Sequence, residues 1–280
     1  MAEVILDFIK MTGAGNDFIL IDNRTGQFSV DWRALAPVIC DRRYGVGADG
    51  LLIVENSYRA DFKMMYYNSD GSYGGMCGNG GRCIALYIMN DLIIEKIRFE
   101  ALNYIYSAER LGVNVKLKMM KPKDLQTNLL IDLIEERIPA ISIDTGAPHV
   151  VVFMEDISDG LRAKIATDGI QNIGSQIRNH NLFKPHGTNV NFVTFDRDNS
   201  ISMRTYERGI EKETLACGTG SIACAVVSSI RNGLGSPIKV HTRSREILVV
   251  DFVRSGNEFE DVVLVGPAKS VFEGRFIYTR

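Results

Sequence analysis

In the first half of the chain, the spacing of apolar and polar positions predicts mainly strands, with two helices. Residues 4–10 alternate between apolar and polar side chains, which is the pattern of a strand with one buried face. Helical spacing is found over 31–40, where Asp31 can cap the helix, and again over 82–90. The other segments predicted as strands are 18–21, 51–54, 61–67, 97–100, 104–109 and 113–119.

The second half repeats this order of elements. Its predicted strands are 150–153, the end of 186–193, and 201–206, and helices are predicted over 159–169 and 221–230. Asn232 and Gly233 stop the last of these helices. The polar segment 121–124 contains a proline and lies between two apolar runs, so it predicts a domain boundary. Together these patterns predict an α+β protein built from two similar domains.

Composition narrows the class of protein. The chain has 280 residues, of which 45% are hydrophobic and 24% charged, so two globular domains fit its length. A net charge of −2 favours neither nucleic acid nor an acidic membrane as a partner. No apolar run is long enough to span a membrane, and residues 1–10 do not form a signal peptide. Five cysteines without an export signal predict reduced thiols and a cytoplasmic location.

Two cysteines stand in matching contexts half a chain apart. Cys77 and Cys217 are each followed by a glycine-rich turn and an apolar run. A cysteine at the start of a helix lies near unpaired N–H groups and the positive end of the dipole, which favours the thiolate. The glycines let N–H groups approach an anion closely. Two such thiols could remove a proton from one face of a carbon atom and return one to the other face.

Less specific explanations apply to the cysteines as well. Cysteine is often buried as a small apolar residue, and this is the interpretation given to Cys40, Cys83 and Cys224. The spacing of Cys77 from Cys83, and of Cys217 from Cys224, does not match common zinc sites. Neither glycine-rich turn continues as a phosphate-binding loop. No metal is therefore predicted.

Several polar residues accompany the cysteines in turns. His149 follows a Gly-x-Pro turn into a strand, and Glu207 and Arg208 follow the strand that precedes Cys217. Single histidines, surface charge pairs and turn asparagines are common in proteins, and they often have no functional role. The asparagines in such turns are Asn16, Asn68 and Asn189.

Taken together, these segments resemble the diaminopimelate epimerase family, and the match covers most of the chain. The segments that carry the resemblance are 15–18, 45–50, 68–72, 77–83, 146–149, 187–192, 206–209 and 216–220. The resemblance implies two pseudo-symmetric halves, each a barrel-like, mostly antiparallel sheet around a central helix, with the active site in the cleft between them. The halves would comprise 1–122 with a returning strand over 265–280, and 123–264.

The resemblance also implies an isomerase that converts LL-2,6-diaminopimelate to the meso isomer, in lysine and peptidoglycan-precursor synthesis, without pyridoxal phosphate or a metal. It implies that Cys77 and Cys217 are the acid and base, supported by His149 and Glu207. A homodimer is implied as well. The implied substrate-binding residues are Asn16, Asn68, Gly78, Asn79, Asn189, Glu207, Arg208, Gly218 and Thr219. The planar guanidinium of Arg208 suits a distal carboxylate.

Three positions depart from the family's pattern. Many members have Asn where this chain has Ala147, and others have Gln at the position of Gly50. The spacing from Glu207 to Cys217 is one residue longer than in some members. None of these departures removes a predicted catalytic residue, but they leave open a related substrate.

Three other functions remain open from the sequence. One is a racemase of another amino acid on the same scaffold, against which Arg208 and the asparagines argue. Another is a redox sensor in which Cys77 and Cys217 form a reversible disulfide. The third is a small-anion-binding module without catalysis. The sequence leaves undetermined which thiol is ionised at rest, the oligomeric state and any domain closure.

Overall fold

The chain divides into two compact units. The structure is a computed structural model that describes residues 3–279. One unit runs to Lys118 and includes the chain again from Gly266 onward, and the other is Met119–Val265. The sequence-based boundaries lie a few residues from these bounds. Among residues 3–279, no helix combines the length and the apolar character needed to cross a membrane.

The first unit contains seven consecutive strands and two helices. Helix α1 is Trp32–Ile39 and helix α2 is Gly78–Leu92. Asp31 caps α1 as predicted, because its side chain accepts hydrogen bonds from the N–H groups of Arg33 and Ala34. The strands are β1 (Glu3–Gly13), β2 (Asn16–Asp22), β3 (Gly50–Glu55), β4 (Phe62–Asn68), β5 (Lys96–Ala101), β6 (Tyr104–Leu111) and β7 (Asn114–Lys118).

The second unit contains nine strands and three helices, after which the chain returns to the first unit. Its strands are β8 (Lys123–Asp132), β9 (Arg137–Asp144), β10 (Pro148–Phe153), β11 (Asn189–Phe195), β12 (Ser200–Glu207), β13 (Lys212–Thr214), β14 (Ile238–His241), β15 (Ile247–Ser255) and β16 (Glu258–Pro267). Its helices are α3 (Asp159–Asp168), α4 (Gln171–Arg178) and α5 (Gly218–Asn232). The last strand, β17 (Lys269–Thr279), pairs antiparallel with β1.

The strand pairings of the two units repeat each other. In the first unit, β1–β2 is antiparallel, β2–β3 parallel, β3–β4 antiparallel and β4–β5 parallel. In the second unit, the same directions recur in β9–β10, β10–β11, β11–β12 and β12–β14. Antiparallel pairs then complete both series. The mostly antiparallel, pseudo-symmetric α+β fold expected from the sequence is therefore confirmed.

A central helix organises the sheet of each unit. Helix α2 contacts all seven strands β1–β7 as well as β17, and α5 contacts β9–β12, β14 and β15. Close packing at the starts of these helices requires small residues. A Cβ on Gly81 would lie 2.7 Å from Met76 Cε, and a Cβ on Gly220 would lie 2.7 Å from Asn191 Oδ1. The glycines that follow the two cysteines therefore also serve packing.

A separate apolar layer lies under the outer helices of each unit. In the first unit, the face of α1 that carries Leu35 and Ile39 packs with buried side chains of β1, β2 and β3. In the second unit, Leu161 and Ile165 of α3 and Ile177 of α4 pack with buried residues of β10 and β11. Each unit thus has its own apolar core.

The structure extends some predicted elements and adds others. Helices α2 and α5 begin at the residue after each cysteine, several residues before the predicted 82–90 and 221–230. The segment 121–124, predicted as a boundary, contains the start of β8, whose residues are mostly exposed. Helix α4 and the strands β8 and β13–β16 were not predicted from the sequence, whereas β17 lies in the segment 265–280 for which the resemblance implies a returning strand.

Candidate active site

The predicted site residues of the first unit gather at one end of its sheet. Because β2 and β3 are parallel and β4 is antiparallel to β3, the starts of β2 and β3 meet the end of β4. This end carries Asn16 at the start of β2 and Asn68 at the end of β4. Hydrogen bonds link Asn16 to Cys77 and Asn79 at the start of α2. Three predicted site residues are therefore in direct contact.

Cys77 is the N-cap of α2. Its backbone is extended, with φ −126° and ψ 122°, and Sγ accepts a hydrogen bond from Gly80 N at 3.5 Å. Sulfur thus takes the position that a serine or aspartate oxygen usually occupies at a helix start. This position exposes the sulfur to the helix dipole and leaves other N–H groups of the first turn available for an anion.

The amide of Asn16 presents an acceptor to Cys77. Asn16 Nδ2 donates to Asp49 Oδ2 at 2.7 Å, which fixes the orientation of the amide because a carboxylate can only accept. Asn16 Oδ1 then lies 3.7 Å from Cys77 Sγ and accepts from Asn79 Nδ2 at 3.4 Å. Asn16 Oδ1 can therefore accept a hydrogen bond from the Cys77 thiol.

A buried cation lies near the start of α2. Arg82 is fully buried, and it donates to Gly78 O at 3.2 Å and to Asn79 Oδ1 at 2.9 Å. Burial lowers the pKa of Arg82 to about 10, although the nearby Cys83 and Cys77 act in the opposite direction. The Asn79 side chain is bonded to both Arg82 and Asn16. The charge of Arg82 favours the thiolate form of Cys77.

The second unit presents the same construction. Cys217 is the N-cap of α5, with φ −128° and ψ 115°, and its Sγ accepts from Gly220 N at 3.4 Å. The starts of β10 and β11 meet the end of β12, where Glu207 lies, because His149 pairs with Asn189 and Val190 pairs with Tyr206. Cys217 itself is only 6% exposed.

His149 is a buried, neutral member of this site. It is 1% exposed, and its ring nitrogens contact Thr219 Oγ1 at 2.9 Å and Asn191 Nδ2 at 3.1 Å. Burial, together with the positive charge of Arg208, lowers the pKa of His149 to about 3. In the folded protein at neutral pH, His149 is therefore a neutral imidazole with a single N–H.

This neutral histidine should make the protein sensitive to acid. Below pH 6.5 the unfolded chain gains a proton at His149, whereas the folded chain does not until about pH 3, so stability falls with pH in that window. Between pH 6.5 and 5.5 we expect the wild type to lose about 1 kcal/mol more than His149→Gln, because the unfolded histidine is already half protonated at pH 6.5. Urea unfolding at pH 6.5 and 5.5 measures the difference. The exposed His186→Gln is the matched control, and equal slopes for wild type and His149→Gln would contradict the prediction.

The predicted asparagines at the strand ends are held by the protein itself. Asn189 Nδ2 donates to Pro148 O at 3.0 Å, and Asn189 Oδ1 accepts from Arg208 N at 2.9 Å. Asn68 Oδ1 accepts from the hydroxyl of Tyr66, and Asn68 Nδ2 donates to Ser72. Asn189 therefore anchors the turn that carries Arg208, and its role toward a substrate stays a prediction.

Arg208 is a partly buried cation available to an anion. Within residues 3–279, the structure gives its guanidinium neither a hydrogen bond nor an ion pair. Burial and the charge of Arg178 both lower the pKa of Arg208, which still leaves it a cation at neutral pH. Arg204, on the preceding strand, is instead paired with Glu213 at 2.7 and 2.9 Å. Arg208 is thus suited to bind a carboxylate supplied by a ligand.

The remaining cysteines are buried apolar residues, as the sequence predicts. Burial raises the pKa of Cys40 and of Cys83 to about 12, and it also raises the pKa of Cys224. These thiols therefore stay protonated at neutral pH. Among the described residues, no group of His, Cys, Asp and Glu side chains is arranged to hold a metal ion.

Two positions noted as departures have different surroundings. A Cβ on Gly50 would lie 2.5 Å from the ring of Tyr66 and 2.7 Å from Tyr67 O, so packing requires glycine here. Ala147 is partly buried, and its carbonyl accepts from Thr145 N at 3.1 Å.

Three residues for which the sequence predicts no role contact the predicted site residues: Asp49, Arg82 and Asn191. Asp49 and Arg82 do lie within segments that carry the family resemblance, as does Asn191. Their positions could have marked them, but their contacts depend on strands and helices that are distant in the chain.

Solved structures with this fold include racemases and epimerases. A probable proline racemase from Agrobacterium radiobacter K84 matches with a TM-score of 0.74 at 14% identity, covering 96% of this chain and 92% of that one. A phenazine biosynthesis protein of the PhzF family from Bacillus anthracis matches with a TM-score of 0.71 at 14% identity, over 98% and 99% of the two chains. At 14% sequence identity, these similarities concern the fold alone. Among solved structures, this fold is therefore one that a probable proline racemase and a hydroxyproline epimerase share.

The sequence comparisons define the family. The family model for diaminopimelate epimerase matches residues 8–118 and 141–271. The diaminopimelate epimerase of Aquifex aeolicus is 39% identical over 284 residues, covering 96% of this chain and 97% of that protein. That of Chlorobaculum tepidum is 41% identical over 271 residues, covering 94% and 98%. The chain belongs to the diaminopimelate epimerase family.

Proposed function

We propose that this protein converts LL-2,6-diaminopimelate to meso-diaminopimelate without a cofactor, with Cys77 and Cys217 as the two acid–base groups. The observation that carries the proposal is the repetition of one catalytic construction. In each unit a cysteine caps the central helix at the same end of the same strand arrangement. A reaction that removes a proton and returns one to the opposite face needs two such groups.

In the proposed reaction, the thiolate of one cysteine takes the proton from the α-carbon of the substrate and becomes a thiol. The electron pair left behind is delocalised into the carboxylate as an enediolate. The thiol of the other cysteine then delivers its proton to the opposite face and becomes a thiolate. The protonation states of the two cysteines are thus exchanged after each turnover and must be reset through solvent.

The helix starts supply the electrostatic stabilisation that this reaction requires. An α-proton beside a carboxylate is very weakly acidic, so the developing negative charge needs oriented donors in a site without bulk water. The backbone N–H groups of Gly78, Asn79, Gly218 and Thr219 are proposed as those donors. They need no reorganisation, because helix geometry already orients them.

Selectivity for diaminopimelate is assigned to polar residues at the strand ends. Arg208 is proposed to bind the distal carboxylate, which is supported by its lack of a protein partner within residues 3–279. Glu207 and His149 are proposed to support the reacting end, and Asn16, Asn68 and Asn189 to complete substrate binding. The names of the relatives support this substrate. By the same resemblance, we place the enzyme in lysine and peptidoglycan-precursor synthesis, in the cytoplasm and as a homodimer.

An isotope-exchange assay tests the proposal. Purified, reduced protein is incubated with LL-diaminopimelate in D2O, and products are followed by NMR and chiral separation. The expected result is meso product with deuterium at one α-carbon. Protein alkylated with iodoacetamide is the control and should form none. Absence of exchange by reduced protein would reject diaminopimelate as the substrate and favour another amino acid, a binding role or a redox role.

A further inference from the structure

A chain of hydrogen bonds in the second unit leads from a fully buried amide to Cys217. Asn191 lies in β11 and is 0% exposed, His149 lies in β10, and Thr219 is in the first turn of α5. The contacts are Asn191 Nδ2 to His149 Nδ1 at 3.1 Å, His149 Nε2 to Thr219 Oγ1 at 2.9 Å, and Thr219 Oγ1 to Cys217 Sγ at 3.6 Å. The direction of donation along this chain can be deduced from its first member.

The orientation of the Asn191 amide is determined at both ends. Its Nδ2 lies 3.0 Å from Val150 O, and a backbone carbonyl can only accept, so this end of the amide must be the NH2 group. Its Oδ1 accepts from the hydroxyl of Thr205 at 3.0 Å. The second hydrogen on Nδ2 therefore points to His149 Nδ1, which must be the unprotonated nitrogen.

The remaining bonds follow from this tautomer. A neutral imidazole with a bare Nδ1 carries its hydrogen on Nε2, so His149 donates to Thr219 Oγ1. The Thr219 hydroxyl then uses an oxygen lone pair to accept, which leaves its own hydrogen to donate. In the thiolate form, Cys217 has no hydrogen and can only accept. The hydroxyl and the N–H of Gly220, at 3.4 Å, are then both donors to the same sulfur.

We infer that Asn191 is a positioning residue for the proposed reaction: by fixing the tautomer of His149, it holds the Thr219 hydroxyl as a hydrogen-bond donor to the Cys217 thiolate. Donation to the charged form stabilises it. The neutral state of His149 is maintained by burial and by the charge of Arg208. The catalytic relevance of this role rests on the proposed function, whereas the hydrogen-bond chain itself does not.

The first test reads the tautomer in the protein without substrate. The chain has four histidines, so the ring nitrogens of His149 can be assigned by comparing ¹⁵N-labelled wild type with His149→Gln. Long-range ¹H–¹⁵N spectra should show a protonated Nε2 and a bare Nδ1. A protonated Nδ1, or an imidazolium at pH 7, would overturn the inference whatever the substrate is.

The second test measures the effect of the hydroxyl on Cys217. The rate of iodoacetamide alkylation at each cysteine is followed at pH 7.5 by mass spectrometry of reduced protein. Thr219→Val removes the hydroxyl but keeps the side-chain shape and the backbone groups, and we expect Cys217 to react about tenfold more slowly. Thr219→Ser keeps a hydroxyl and should restore the rate. Cys77 is the internal control and should be unchanged in both variants.

The third test reverses the chain at its origin. In Asn191→Asp, a carboxylate replaces the NH2 group, and we expect the hydrogen of His149 to move to Nδ1. Nε2 would then accept from Thr219, and the hydroxyl would no longer donate to Cys217. Alkylation of Cys217 should slow about tenfold, as in Thr219→Val.

The double variant Asn191→Asp/Thr219→Val separates this inference from a structural effect. It should alkylate no more slowly than either single variant, because both act through one hydroxyl. Multiplying effects, or no rescue by Thr219→Ser, would overturn the inference. If Asn191→Asp fails to fold, the Thr219 pair and the tautomer still decide. The proposed function is tested separately from this inference. If the hydrogen-bond chain is confirmed but the protein does not exchange the α-proton of diaminopimelate, only the proposed substrate is rejected.

Discussion

Alanine at Cys77 or at Cys217 is expected to reduce epimerisation of LL-diaminopimelate by about 10³-fold. Each variant lacks the group that must either take or supply the proton on one face of the α-carbon. The helix starts and the polar residues at the strand ends remain, so substrate binding should change much less than turnover. Steady-state kinetics with chiral product analysis measures the loss, and inhibition by a competing ligand measures the binding.

The variants should also separate exchange from inversion. A single remaining thiol can remove a proton and return a solvent deuteron to the same face. In one of the two reaction directions, deuterium incorporation with retention should therefore persist after inversion is lost. Inversion at more than a tenth of the wild-type rate in either alanine variant would contradict a two-base mechanism.

The other helical cysteines provide matched controls for these variants. Cys83 lies in α2 and Cys224 in α5, and both are fully buried. Because burial raises the pKa of both thiols, neither can act as a thiolate at neutral pH. Cys83→Ala and Cys224→Ala should retain most of the activity per folded molecule. Loss of stability in these variants, from a small cavity in the core, is a separate effect that thermal unfolding would show.

Methionine at Arg208 is expected to reduce kcat/KM for diaminopimelate by about 10²-fold, mainly through a higher KM. A guanidinium that pairs with a distal carboxylate binds substrate and transition state alike, because that carboxylate is remote from the reacting carbon. Charge-assisted hydrogen bonds of this kind are each worth roughly 1.5–3 kcal/mol. Arg208→Lys should recover part of the affinity, since it keeps the charge but loses the planar pair of donors.

Lysine is the sharpest probe of this assignment, since it is diaminopimelate without the distal carboxylate. In the wild type, lysine should be a poor ligand compared with diaminopimelate. Arg208→Met should weaken diaminopimelate while leaving lysine almost unchanged, so the ratio of the two affinities should fall. Arg204→Met is the control, because Arg204 is already paired with Glu213 and should affect stability rather than this ratio. An unchanged ratio in Arg208→Met would assign the distal carboxylate to another residue.

The starts of the central helices α2 and α5 could not be predicted from the local sequence pattern. The apolar runs after the two cysteines predict helices correctly, but they place the starts several residues late. Glycine disfavours helix by about 1 kcal/mol relative to alanine, so a glycine-rich segment reads as a turn. In the structure these glycines lie inside the first turn, where a side chain would collide with Met76 or Asn191. Tertiary packing therefore outweighs the local preference.

Strand β8 was not predicted from the sequence. Its residues are mostly exposed, so it lacks the alternation that reveals a strand with one buried face, and its first residues were assigned to a boundary. Its partner β9 supplies the hydrogen bonds that make it a strand. A strand stabilised mainly by its neighbour leaves little trace in its own sequence.

The sequence by itself determined the family, the duplicated plan and the two cysteines, because these depend on residues that are close together in the chain and recur at half its length. Only the tertiary structure decided which groups those cysteines contact. Asp49 orients Asn16 toward Cys77, and Asn191 orients His149 and Thr219 toward Cys217. The direction of each hydrogen bond depends on carboxylate and carbonyl oxygens that folding brings from distant strands. No local pattern of residues carries that information.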